Sequence, residues 1–224
     1  MSRFFPLLSL ALLLSFTGPS RAQQPLGPAE EKALIAKLQQ QRAQMPAVTA
    51  NFTEQKNTRL LAKPIVSSGT IAFQAPNKFR RELGGNNPST TVCDGHQLWI
   101  YYPNFKEAER YTLGEKQFFD ESLAALTAGL NFQDVERFFR VSAIREGAAY
   151  SVTLTPKTGG LKRILSSLTV VLDDDGMIQR TDAALPKGDR VTTTYRNVRA
   201  AKQSDAKFEF TPPAGAKVST PLGK

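Results

Sequence analysis

The sequence is poor in the residues that most often carry chemistry. Its 224 residues include one cysteine, Cys93, one histidine, His96, and one tryptophan, Trp99. A single cysteine excludes an intramolecular disulfide framework and any cysteine-based zinc cluster. A single histidine excludes a multi-histidine metal site. No phosphate-binding glycine loop, dinucleotide fingerprint or G-x-S-x-G elbow occurs. Asp173-Asp174-Asp175-Gly176 lacks the alternating carboxylates and terminal glutamate of a calcium loop and reads as a β-turn. No block of five like charges is present, although Lys and Arg number 29 against 20 Asp and Glu. The scattered basic excess does not form the clustered, aromatic-laced patch of a nucleic-acid groove. Phe79-Arg80-Arg81 is the nearest approach. Neither a cofactor nor a metal is expected, and function must rest on shape rather than on a reactive centre.

Apolar runs long enough to span a bilayer are also lacking. The one strongly apolar segment is Phe4 to Phe16. It follows a short basic start and precedes the helix breakers Gly18 and Pro19 and the small-x-small triplet Ser20-Arg21-Ala22. Residues 1–22 therefore read as a secretory signal cut after Ala22. Residues 23–224 read as one domain. Loss of Arg3 and Arg21 lowers the net charge from +9 to +7. No cysteine sits at the cut, so the mature N-terminus offers no thiol for lipid attachment. A spare thiol is a liability in an oxidising space, and Cys93 reads as a small buried residue.

What is present is alternation. Gln23 to Pro28 reads as a mobile leader. Pro28 to Gln44 reads as a helix, with Glu30 and Glu31 near its positive end and Leu34, Ile35 and Leu38 on one stripe. Val48, Ala50 and Phe52 begin a series of half-buried strands. Strands are expected over 70–74, 79–83, 90–93, 98–102, 110–113, 150–155, 164–172, 178–185, 190–198 and 207–211. Asp94-Gly95 signals a hairpin. Lys116 to Leu130 carries Phe119, Leu123, Leu126 and Leu130 at helical spacing, and Asp134 to Phe139 reads as a shorter helix. The pattern predicts one strongly curled antiparallel sheet with helices on one face. Such a sheet is a container, and a container larger than its side chains can fill holds apolar ligands.

Alternation places Phe52, Phe73, Phe79, Leu83, Leu98 and Ile100 on the candidate inner face. Leu123 and Leu126 are candidate helical lid contacts. A cavity wall and a dry core both satisfy that alternation, and Trp99 with Tyr101 is the other inward choice for its strand. Arg81 shares a face with Phe79 and Leu83. It belongs inside the cavity or at its mouth, either snorkelling outward or meeting the polar head of a ligand.

Three strings in order carry a recognisable pattern: Ala50-Asn51-Phe52-Thr53-Glu54-Gln55, then Ala75-Pro76-Asn77-Lys78-Phe79-Arg80, then Asp94-Gly95-His96-Gln97-Leu98-Trp99-Ile100-Tyr101-Tyr102-Pro103. Leu154-Thr155-Pro156-Lys157 and Phe208-Glu209-Phe210-Thr211-Pro212-Pro213-Ala214-Gly215 continue it. Together they resemble the LolA family of periplasmic outer-membrane lipoprotein carriers. The resemblance implies an incomplete β-barrel capped by helices over an apolar cavity. It implies a soluble, monomeric, non-enzymatic carrier whose ligands are the acyl chains of lipoproteins. Its partners would be an inner-membrane lipoprotein-releasing transporter and an outer-membrane lipoprotein receptor, with no nucleic acid involved. A lipid-binding periplasmic sensor on the same fold is the alternative, and a hydrolase using His96 is a third. Two departures stand out. Family members often carry Arg, which ties the lid shut, where this chain has Ala75, and an aromatic where it has Arg81.

Overall fold

Strand-forming alternation and turn glycines set the architecture. The computed structural model describes residues 23–114, 127, 130, 132, 133 and 135–221. The expected signal segment 1–22, and Phe119, Leu123 and Leu126 of the expected second helix, lie outside the described residues. The strands are β1 (Gln23–Pro25), β2 (Ala47–Asn57), β3 (Ile65–Gln74), β4 (Lys78–Leu83), β5 (Ser89–Cys93), β6 (Gln97–Tyr102), β7 (Glu107–Thr112), β8 (Phe139–Glu146), β9 (Ala149–Pro156), β10 (Ser167–Leu172), β11 (Ile178–Ala184), β12 (Arg190–Ala200) and β13 (Lys217–Ser219). Among the described residues, helices with defined bounds are α1 (Pro28–Gln44), α2 (Val135–Phe138) and α3 (Gly159–Lys162). Among the described residues no helix is long and apolar enough to cross a membrane.

The thirteen strands of the described residues belong to one sheet in the order β1-β8-β9-β10-β11-β12-β2-β3-β4-β5-β6-β7-β13. Every pairing is antiparallel except β13 with β7. The sheet is curled but open, with β1 and β13 as its two edges, so it is not a closed barrel. Register carries one apolar face across the strands: Val48 faces Phe73, Phe73 faces Phe79, Phe79 faces Cys93, and Cys93 faces Leu98. Apart from Val48, these side chains join Leu154, Val170 and Leu172 from the other half of the sheet in one core cluster.

Helix α1 lies on this inner face, with Leu34, Ile35 and Leu38 buried in the same cluster. Each such side chain contributes about 1.5–3 kcal/mol of burial. Polar ties help to fix its position. The Glu31 carboxylate accepts a hydrogen bond from the Ala143 backbone at 3.0 Å. Buried Arg42 donates from Nη2 to the Gly176 carbonyl at 2.7 Å. Arg42 lies four residues beyond Leu38 on the same stripe, which puts its long stem among the apolar side chains.

Several expectations change. Gln23 to Pro25 is not a free leader: it pairs with β8, and the next amide, Leu26, donates to the Ala143 carbonyl at 2.9 Å. A proline-containing segment suits an edge strand because one of its sides needs no donors. The strand expected from Ile164 starts only at Ser167. Thr158 caps α3, Leu161 anchors it in the core, and the Ile164 and Leu165 amides still bond back to the Leu161 carbonyl. The segment Lys207–Thr211 is not a strand. Asp205–Phe208 is a 3-10 turn lying across the outer face of β4, whose two neighbours β3 and β5 already occupy its edges. Arg80 instead donates to the Lys207 and Glu209 carbonyls at 3.3 and 3.5 Å. The strand expected to begin at Arg110 begins at Glu107, and its parallel partner β13 was not expected.

Candidate functional site

Between β4 and the β10–β12 stretch the described residues leave the inner face unfilled. A cavity of about 400 Å³ opens there. Ile71 of β3 with Phe79 and Arg81 of β4 forms one wall. Leu168, Thr181, Ala183, Thr193 and Tyr195 of β10 to β12 form the other. Register explains the second wall: Leu168 faces Ala183, and Thr181 faces Thr193. Glu54, Leu130, Ile164, Leu165, Leu185 and Val191 complete the lining. The volume falls within the roughly 300–1,000 Å³ range of small-ligand sites, as does the mainly apolar character of the lining.

One polar cluster interrupts the apolar wall. Arg81 Nη2 donates to Glu54 Oε2 at 2.5 Å, reaching across β3 to do so. The guanidinium carbon also lies 4.5 Å from the centroid of the Phe52 ring, a cation–π contact. Phe52 in turn packs against Tyr195, with ring centroids 6.5 Å apart. Gly69 makes room for the Phe52 ring: a Cβ there would lie 2.7 Å from the ring's Cζ and 1.9 Å from the Glu82 carbonyl oxygen. Burial pushes the Tyr195 phenol above its ordinary range, opposed by a hydrogen bond with the Thr181 side chain and by the nearby Arg81 charge.

The candidate residues divide among several positions. Phe79 and Arg81 stand on the cavity wall. Phe52 lies behind Arg81, while Phe73 and Leu98 are buried in the core cluster on the same face. Leu83 packs against that cluster, and Ile100 is half-buried on the Leu98 side of its strand. Trp99 and Tyr101 take the opposite face, each 5.8 Å from the ring of Phe210 in the C-terminal tail. Leu123 and Leu126 lie outside the described residues. Ala75 packs against the core with a side chain too short to tie any lid, and its amide donates to the Pro46 carbonyl at 2.7 Å.

Glu54, Tyr195 and the small residues Thr181, Ala183 and Thr193 were not singled out from the sequence. Glu54 continues the alternation of Ala50 and Phe52, which was the available signal. What alternation could not supply was its partner, since Arg81 is two strands away in the sheet.

The groups with potential reactivity are placed elsewhere. Cys93 is buried, and burial pushes its thiol up to about 11. His96 is exposed in the β5–β6 hairpin, where the Asp94 carboxylate accepts the His96 and Gln97 amides, both at 2.7 Å. Asp173 accepts the Met177 amide at 2.7 Å and so closes a turn. Among the described residues no three His, Cys, Asp or Glu side chains are grouped to hold a metal ion. A second cavity, of about 290 Å³, lies on the outer face and is polar, with Asn51, Thr70, Arg80, Arg199 and Lys207 among its walls.

A protein of Dechloromonas aromatica named outer-membrane lipoprotein carrier protein is 32% identical over 174 residues, covering 75% of this chain and 79% of the relative. One of the same name from Methylibium petroleiphilum is 29% identical over 183 residues, covering 79% and 84%. A crystal structure of a conserved protein from Thermus thermophilus shares the fold at a TM-score of 0.50 and 11% identity, covering 84% of this chain and 98% of that one. The family profile described as outer membrane lipoprotein carrier protein LolA matches residues 43–211, a span that contains every strand from β2 to β12, and the chain belongs to that family.

Proposed function

We propose that this protein is a soluble periplasmic carrier that shields lipoprotein acyl chains in its inner cavity between the inner and outer membranes. The observation that carries this reading is the hollow itself. A family of named lipoprotein carriers supplies the fold, and this chain keeps a largely apolar space of about 400 Å³ on the inner face of its sheet. Each acyl CH₂ kept from water is worth about 0.8 kcal/mol, so whole chains exposed in an aqueous gap would cost on the order of tens of kcal/mol. A carrier lowers that cost without chemistry. It must also let its cargo go, and an open sheet with a loosely filled half serves release better than a closed barrel would. The expected partners are a transporter that releases lipoproteins from the inner membrane and a receptor that takes them at the outer one.

The test is mass spectrometry of what co-purifies with the native protein from its own periplasm, followed by transfer to outer-membrane vesicles. Acylated lipoproteins in the bound fraction, passed on to the vesicles, support the carrier. A bound fraction free of acylated species overturns it.

A further inference from the structure

We propose that the Arg81–Glu54 pair is a polar subsite that recognises the neutral ester or amide head of an acylated amphiphile whose chain lies in the cavity. This rests on the carrier reading above and adds a substrate class to it.

A hydrocarbon shield has no need of an ion pair. Replacing buried ion pairs by apolar residues of similar volume is often neutral or stabilising, so fold stability alone does not account for charges on this wall. The placement offers another account. Both side chains line the cavity while retaining only 18% and 20% of their exposure. Arg81 directs one amino group to Glu54 and one face to the Phe52 ring. A guanidinium has five N–H donors, and among the described residues no second acceptor meets this one. Glu54 likewise uses one carboxylate oxygen, leaving the other as an acceptor. The wall therefore presents free donors beside a free acceptor, with the Thr193 side chain on the same surface.

The charge balance selects the head group. The two charges cancel, so the site attracts no net ion. A carboxylate drawn to Arg81 would sit against the like charge of Glu54, and an ammonium drawn to Glu54 would sit against Arg81. An ester or amide carbonyl accepts from Arg81 without that conflict, and an adjacent hydroxyl or amide N–H can donate to Glu54. The chain attached to such a head would then lie against Leu165, Leu168, Ala183 and Leu185 on the apolar side of the same space.

The experiment compares monolaurin with laurate, which share one acyl chain and differ in the head. Each displaces N-phenyl-1-naphthylamine from the full-length mature protein at neutral pH. Monolaurin is expected to compete about tenfold better, the worth of one added hydrogen bond in a dry site. In Glu54→Gln the freed Arg81 should raise laurate affinity and erase or reverse that preference. In Arg81→Met monolaurin should lose about tenfold. The wild-type comparison stands even if a variant misfolds, and melting curves check both variants. Equal binding of the two ligands to wild type, or an unchanged preference in folded Glu54→Gln, overturns the subsite and leaves the carrier reading in place. Failure of the protein to bind either ligand overturns the subsite, while the carrier reading is decided by the co-purification test above.

Discussion

The two halves of the inner face are built from the same sheet and filled differently. Under α1, strands β9 and β10 present Val152, Leu154, Val170 and Leu172, all with no measurable exposure, and Leu161 of α3 closes over them. Farther along the same face, β11 and β12 present Thr181, Ala183, Val191 and Thr193 at the equivalent inward positions. Both halves belong to one continuous sheet, so the difference lies in what packs on it. Leu and Val side chains met by Leu34, Ile35 and Leu38 of α1 and by Leu161 of α3 make the first half a core. Short ones opposite β4 leave the second half a container. The lesson is that one sheet can hold both a core and a hollow, depending on what packs over each stretch of its inner face.

This contrast can be broken from either side. The largest effect is expected in the packed half. Leu154→Ala should lose about 2–5 kcal/mol of stability in urea unfolding, since nothing nearby can collapse into the gap. A loss no larger than that of a surface substitution would mean this half is not packed as described.

Next is the tie between helix and sheet. Arg42→Leu keeps the apolar stem but removes the donor from the Gly176 carbonyl, and should cost about 1–3 kcal/mol by the same measurement. An unchanged midpoint would show that the Arg42 tie does not contribute to holding α1 on the sheet.

Cys93 gives a pH-dependent version of the same comparison. Its thiol ordinarily loses its proton near 9 and does so near 11 in the fold. Between those values the unfolded chain gives up the proton first and binds fewer protons than the native state. Stability should therefore fall as pH rises through that window, by about 1 kcal/mol at pH 10. Cys93→Ser, measured over the same range, should show a flatter profile. Equal slopes would contradict the thiol's share in the pH dependence.

The smallest change in stability is expected in the open half. Ala183→Leu adds bulk to the cavity instead of to a packed core, so it should shift stability by less than about 1 kcal/mol, against about 1–3 for overpacking elsewhere. Its effect should appear instead as weaker displacement of a fluorescent apolar probe by acyl ligands. A strongly destabilised variant would show that the space is not free.

Much of this contrast was legible from local pattern. Alternation assigned Phe73, Phe79 and Arg81 to the inner face, helical spacing assigned Leu34, Ile35 and Leu38, and Asp94-Gly95 marked its hairpin. Each of these depends on neighbours within a few residues. The features not read depend on distant ones. Arg81 finds Glu54 only because β3 lies between their strands, and no spacing along the chain encodes that. Ala183 and Thr193 look unremarkable until register sets them opposite β4, where their shortness becomes a volume. Lys207–Thr211 has the alternation of a strand, yet both edges of the strand beneath it were already paired, so it lies flat across the outer face. Gln23–Pro25 shows the converse, a polar leader recruited because β8 had an open edge.

The most direct measurement is photocrosslinking with a diazirine placed on the acyl chain of a monoacylglycerol, followed by mapping of the labelled peptides. The account predicts labelling on the cavity walls, in 79–81, 164–168 and 181–195, and none in the packed strands β8 and β9. Labelling centred on the polar outer groove of Asn51, Arg199 and Lys207, or spread evenly over the surface, would contradict it.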